Sequence, residues 1–281
     1  MIMKRKLFCE ISPLTYKISV FKCIVLRKIR DFVSKEKFAV KKSDCLLPAV
    51  VYKHNSLIRR TLGNVDPVLQ DNKAVNLAIS APKVNGIIIA PGETFSFWKL
   101  VGYCGKKEGY KEGLTLSNGT TSKGIGGGMC QFTNLIHWMV LHSPLEITEH
   151  HHHDRFDLFP DFGRKVPFGT GTAIMYNYLD YRFKNNTNQP WQIVVYTDGK
   201  YLFGELRTTE PLDVKYHINS VNERFIEEAD GVYRTGEVVR KCIECKTGSV
   251  LSEDIIRRNH AKVLYDTSGL TVEKKDILIQ E

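Results

Sequence analysis

GGGMCQFTNLIHWMVLH, residues 126–142, is the stretch from which the rest of the chain is organised. Three consecutive glycines interrupt regular structure. Met129-Cys130-Gln131 then opens a run in which Leu135, Ile136, Trp138, Met139, Val140 and Leu141 leave almost no polar face. A helix that is apolar nearly all round has no solvent side, so this one is expected to be a buried central helix ending at about His142. The flanking sequence supplies strands to cover it. After the Pro91-Gly92 turn, Phe95 and Phe97 alternate with polar residues over 94–98; further strands read at 173–178, 181–184, 191–197 and 201–207. Asp198-Gly199 joins the last two as a hairpin turn. The tail from 212 to 268 continues in the same β-rich manner, with turns at Asp230-Gly231, Thr247-Gly248 and Ser268-Gly269. A short helix over 68–77 begins the compact body. The fold class is α+β: a mostly antiparallel β body around a buried central helix, with a basic helical N-terminal arm. Three regions follow: an arm and connector over 1–66, a main domain over 67–210 and a β-rich extension over 211–281.

Composition agrees with a globular protein. Of 281 residues, 42% are hydrophobic and 25% charged, which excludes a disordered chain, a collagen, a coiled-coil rod and a bundle of membrane helices. Seven cysteines are too few and too scattered for a secreted disulfide scaffold. Reduced thiols, one or two of them reactive, are the expectation.

Charge is uneven. Residues 1–66 hold 15 Lys and Arg against 5 Asp and Glu, while the other 215 residues hold 25 against 26. A basic terminus suggests an acidic partner, an anionic membrane surface or nucleic acid. No RNA-binding or helix-turn-helix signature follows, so nucleic acid is not expected. Leu14, Ile18, Phe21, Val25, Ile29 and Phe32 form a stripe at helical spacing, flanked by Lys17, Lys22, Lys28 and Lys35. Such a helix packs on its own domain or lies in a membrane interface; packing is the expectation taken forward. No run reaches the ~20 apolar residues of a membrane span, and no signal-peptide pattern is visible. The chain is expected to be cytoplasmic or peripheral to the membrane.

The chemistry concentrates between 118 and 155. Residues 118–128, rich in Gly, Thr, Ser and Lys, are expected to form a loop without regular structure. Cys130 then sits at the start of a buried helix, where helix-end partial charge favours the thiolate a nucleophile needs. Gly126, Gly127 and Gly128, with Gln131 just beyond, allow backbone N–H groups to approach a substrate oxyanion. The plainer reading makes Cys130 a small core residue. Four histidines follow, His150 to His153, between Glu149 and Asp154. In extended chain, His151 and His153 share one face and His150 and His152 the other. One of them facing Cys130 supplies a base, oriented by Asp154 or Asp180; the alternatives are a zinc site or an exposed polar strand. Cys242-Ile243-Glu244-Cys245 is a lone C-x-x-C, a weak signal.

The order of Pro91-Gly92-Glu93-Thr94-Phe95-Ser96-Phe97, the 126–131 segment, the His-rich strand and Asp180 to Thr187 resembles the VanW family over about 85–190. That resemblance implies a role in cell-wall peptidoglycan metabolism beside glycopeptide resistance. In some multidomain relatives it implies L,D-transpeptidase activity through a cysteine. It makes Cys130 the nucleophile and His153, or else His151, its partner, with a peptidoglycan stem peptide or precursor as substrate and no cofactor. A non-catalytic accessory that binds wall precursors or resistance enzymes is the alternative. Gly171-Thr172-Ala173 lacks the Asp that many relatives carry there.

Overall fold

The computed structural model describes residues 6–60, 66–117, 120–152, 155–161, 163 and 166–274. Among the described residues four α-helices occur in chain order, α1 (Pro13–Val33), α2 (Pro67–Val84), α3 (Phe97–Val101) and α4 (Met129–Leu141). The strands are β1 (Ala49–Leu57), β2 (Ile87–Ile89), β3 (Thr94–Ser96), β4 (Glu112–Ser117), β5 (Thr120–Ile125), β6 (Glu146–Glu149) and β7 (Phe156–Asp157). They continue with β8 (Arg182–Lys184), β9 (Trp191–Thr197), β10 (Tyr201–Thr208), β11 (Val214–Glu228), β12 (Gly231–Glu244), β13 (Val250–Val263) and β14 (Val272–Lys274). The fold is α+β with mainly antiparallel sheets.

Helix α4 is the buried centre that its sequence predicts. One side lies on the sheet β1-β10-β9-β2, all of whose pairs are antiparallel. Leu135, Ile136 and Met139 join Trp191, Ile193, Leu202 and Leu206 in one core. Burying each such large side chain contributes about 1.5–3 kcal/mol. Gly204 on β10 permits this approach: a Cβ there would lie 2.8 Å from the Met139 Cε and 2.9 Å from the Leu135 Cδ2. The C-terminal end of α4 meets the second sheet, β14-β11-β12-β13-β7, where Trp138 and Leu141 pack with Ile218 and Val238. Residues 45–66, read as a connector, hold β1, which pairs along its length with β10.

Several local expectations are corrected. The alternation over 94–98 breaks at Ser96, whose hydroxyl accepts from the Lys99 N–H at 3.3 Å and caps α3. Residues 118–128 are not a structureless loop: β4 and β5 form an antiparallel hairpin, and residues 118 and 119 lie outside the described residues. Residues 173–178 form no strand: the Ala173 N–H goes to the His151 carbonyl, and Met175 pairs with Leu179 across a turn. Helix α2 runs on to Val84, past the predicted end at 77, with Pro82 in its last turn. The β9–β10 turn is as predicted: the Asp198 carboxylate accepts from the N–H groups of Lys200 and Tyr201.

Packing of the α1 stripe on the domain is also overturned. Ser12 caps the helix through Thr15, and Pro13 occupies the first turn, yet no residue of α1 is buried. The face turned to the body carries Val20 and Ile24 beside two charged residues that tie it down. Arg27 pairs with Glu149 through both carboxylate oxygens, and Asp31 pairs with Arg182 at 2.7 and 2.9 Å.

Candidate functional site

A cavity of about 540 Å³ opens at the N-terminal end of α4. It is walled by the glycine turn, by α2, by aromatic residues that include Trp98 and Trp138, and by residues 170–176. Among the described residues that line it none is Asp or Glu, whereas Arg60 and Lys73 both line it.

Helix α2 fixes the glycine turn. Asn76 is fully buried; its carbonyl oxygen accepts from the Lys111 N–H at 2.8 Å. Its amide donates to the Lys111 carbonyl at 3.0 Å and to the Gly127 carbonyl at 2.9 Å. Gly128, at φ 107°, is the N-cap of α4. This backbone favours glycine, and a Cβ would sit 2.4 Å from the Cγ of Lys73. The lysine stem therefore lies directly under the residue that starts the Cys130 helix.

Lys73 is 7% exposed and makes no ion pair among the described residues. Burial, and then the charges of Arg60 and Arg59, pull its amine down to about 7. Gln70, one turn earlier on α2, is 6% exposed, and its amide nitrogen has no hydrogen-bond partner among the described residues. Sequence reading missed these residues. The available signal was a polar row on a buried helix face, Gln70, Lys73, Asn76 and Ser80, at steps of three and four.

Cys130 lines the cavity at the second position of α4. Burial pushes its thiol up, against the pull of the Ile174 N–H and its own N–H. The helix-end lowering expected from position alone is outweighed. Gly126 donates its N–H to Lys111 and Gly127 to Gly124, at 3.0 and 3.2 Å. The Gln131 side chain donates to the Ser56 hydroxyl and the Leu57 carbonyl, both at 2.8 Å. These three groups are thus committed to holding the turn and β1.

The histidines divide. His151 turns towards Glu149, its Nε2 2.9 Å from the carboxylate. That carboxylate also takes Arg27 and the Asp180 N–H. Asp180 is fully buried and accepts from Ser96, the Trp98 N–H and Arg182, so it orients none of the described histidines. His150 points the other way. Its Nε2 lies 3.1 Å from the Gly171 carbonyl, and its ring lies 4.0 Å from His137 and 3.8 Å from His152. The three rings line a second cavity of about 450 Å³, shared with Arg240 and Arg257. Burial drives His137 well down and His150 to about 3, with the neighbouring imidazoles adding to it. His137 lies seven residues beyond Cys130, roughly 10 Å along the helix, which separates this cluster from the thiol. His153 and Asp154 lie outside the described residues. Among the described residues no three His, Cys, Asp or Glu side chains are placed to hold a metal ion.

The segment 170–174 runs along the α4 face between the cavities. Asn134 accepts from the Thr172 N–H at 2.6 Å and from its hydroxyl at 2.8 Å. Ala173 donates to the His151 carbonyl at 2.7 Å. Thr170 borders both cavities.

Residues 72–207 match the family described as "VanW like protein". The chain is 33% identical over 223 residues to "Vancomycin B-type resistance protein VanW" of Enterococcus faecalis, covering 79% of this chain and 77% of that protein. It is 31% identical over 119 residues to "Uncharacterized protein YoaR" of Bacillus subtilis, covering 42% of this chain and 37% of that one. No solved structure gives a significant match.

Proposed function

Since this chain belongs to the VanW family, we propose that it acts in peptidoglycan metabolism linked to glycopeptide resistance, as a cysteine acyltransferase on wall stem peptides. The observation that carries this reading is the cavity itself. A thiol, an arginine, a lysine poised near neutrality and a spare amide donor line one space, and none of its described lining residues is a carboxylate, which suits a peptide bearing a negative terminus. The similarity to a vancomycin resistance protein supplies the biological setting.

In the proposed reaction Lys73, poised near neutrality, takes the Cys130 proton. The sulfur attacks a peptide carbonyl, with the positive end of α4 beside the developing oxyanion. The C–N bond breaks, and Lys73 returns the proton to the departing amine. An incoming amine then attacks the thioester and loses a proton to Lys73, which passes it back to sulfur. The products are a new amide and the free thiol. Arg60 and Gln70 hold the peptide carboxylate.

Alkylation by iodoacetamide, mapped by mass spectrometry across pH, tests this. Cys130 is expected to label faster than Cys104 near neutrality, and Lys73→Met to shift its labelling profile upward in pH. A stem tetrapeptide is expected to leave an acyl mass on Cys130. Labelling of Cys130 no faster than Cys104, with no acyl adduct, refutes the transferase. A second reading, a non-catalytic receptor for the same peptide, is favoured by the burial that pushes the thiol up. Peptide-induced change in Trp98 and Trp138 fluorescence without an adduct identifies it.

A further inference from the structure

Helix α1 carries two distinct faces. At 100° per residue, Val20, Ile24, Arg27 and Asp31 fall on one side, and these half-buried residues meet the body. Leu14, Ile18, Phe21, Val25 and Phe32 fall roughly 120° round from them. All five are exposed, Phe21 at 68% and Phe32 at 87%. The orientation is fixed by polar ties. Arg27 holds Glu149 and donates to the Tyr178 carbonyl at 2.8 Å, while Asp31 holds Arg182 and Lys99. Rolling the apolar stripe inward breaks all of them, so the body presents that stripe outward.

Lys17 and Lys28 lie on one flank of the stripe and Lys22 on the other; none makes an ion pair among the described residues. An apolar strip edged by unneutralised lysines matches a surface that is apolar beneath and anionic at its rim. A second copy of the chain fits less well. The four-three spacing continued from Leu14, Ile18, Phe21 and Val25 reaches Lys28 before Phe32, and a helix pair would set that lysine in its seam. No helix among the described residues is long and apolar enough to cross a membrane. We propose that α1 lies flat in the interface of an anionic bilayer, with Phe21 and Phe32 inserted and Lys17, Lys22 and Lys28 at the headgroups. The ion pairs of Arg27 and Asp31 then hang the body from the membrane at a set angle.

Sedimentation of the full chain with phosphatidylglycerol–phosphatidylcholine vesicles, at low and high salt, tests the proposal. Binding is expected to the anionic vesicles, to fall with salt, and to be weak on phosphatidylcholine alone. Replacing Lys17, Lys22 and Lys28 by Gln is expected to lower low-salt partitioning by about fivefold per lysine. Phe21→Glu with Phe32→Glu is expected to weaken binding at both salts and to leave the melting temperature unchanged. Absence of vesicle binding by the folded protein overturns the proposal. So does a dimer dissolved by Phe21→Glu, which assigns the stripe to a second copy. A melting temperature several degrees lower in that variant overturns it too, since it places the stripe against the body.

Discussion

Asn76→Ala tests whether α2 sets the geometry in front of Cys130. The side chain makes three hydrogen bonds, and their loss is unequal. The Lys111 carbonyl keeps the Gly126 N–H at 3.0 Å and loses little. The Lys111 N–H lies near the surface, where water replaces the lost acceptor at a cost of about 0.5–1.5 kcal/mol. The Gly127 carbonyl is enclosed and has no other donor among the described residues; leaving it unpaired costs about 1–3 kcal/mol. The sum is about 1.5–4.5 kcal/mol. Urea unfolding followed by tryptophan fluorescence is expected to show that loss as a lower midpoint at unchanged slope. Asn76→Asp keeps the acceptor for Lys111 but sets a carboxylate against two carbonyls, so it is expected to be no better than alanine. A loss below about 1 kcal/mol in Asn76→Ala refutes the claim that this side chain holds the glycine turn.

Two further outcomes follow from charges away from the cavity. Burial keeps His150 neutral down to about 3 and His142 down to about 4, whereas in the unfolded chain both titrate near 6.5. Between those values the unfolded state binds more protons, so stability is expected to fall as pH drops from 7 towards 4; equal urea midpoints at pH 7.5 and 5 contradict this, and His142→Gln with His150→Gln should flatten the slope. Arg27→Met leaves Glu149 without its bidentate cation, a change worth about 3–5 kcal/mol for an enclosed pair. It is expected to loosen α1, speeding tryptic cleavage after Lys22 and Lys28 by at least about tenfold; an unchanged digestion pattern shows that the pair does not hold the helix.

The legible parts of the fold were those governed by a single element's own pattern. Helix α4 was readable because a run with no polar face admits one environment, and β9 and β10 because alternation and Asp198-Gly199 coincide. Residues 94–98 misled because the Ser96 cap outcompetes the short alternation of Phe95 and Phe97. The α1 stripe misled for a different reason. Helical spacing reports which residues share a face, and says nothing of which face the body takes; here Arg27 and Asp31 claim that face through Glu149 and Arg182, partners more than a hundred residues away. In the site, Cys130 was found because glycines before a helix are local. Lys73 was not, since its role depends on α2 packing under Gly128, a contact 55 residues apart that no window contains.

The placement of α4 at the centre has a further consequence for biosynthesis. Its residues leave the ribosome as a strongly apolar segment at 129–141, but its cover is dispersed. Part of it, from β1, α2, β2, β3 and α3, precedes the helix, while β9 and β10 arrive by residue 208 and the Ile218 and Val238 that close over Trp138 come later still. About a hundred residues of synthesis therefore pass with α4 partly unsheltered, at rates of about 5–20 residues per second. That interval defines a window for chaperone capture. Stalled nascent chains ending before residue 200 should be cut by protease within 129–141, and chains extending well past 240 should be protected there; equal cleavage of both contradicts this order of assembly.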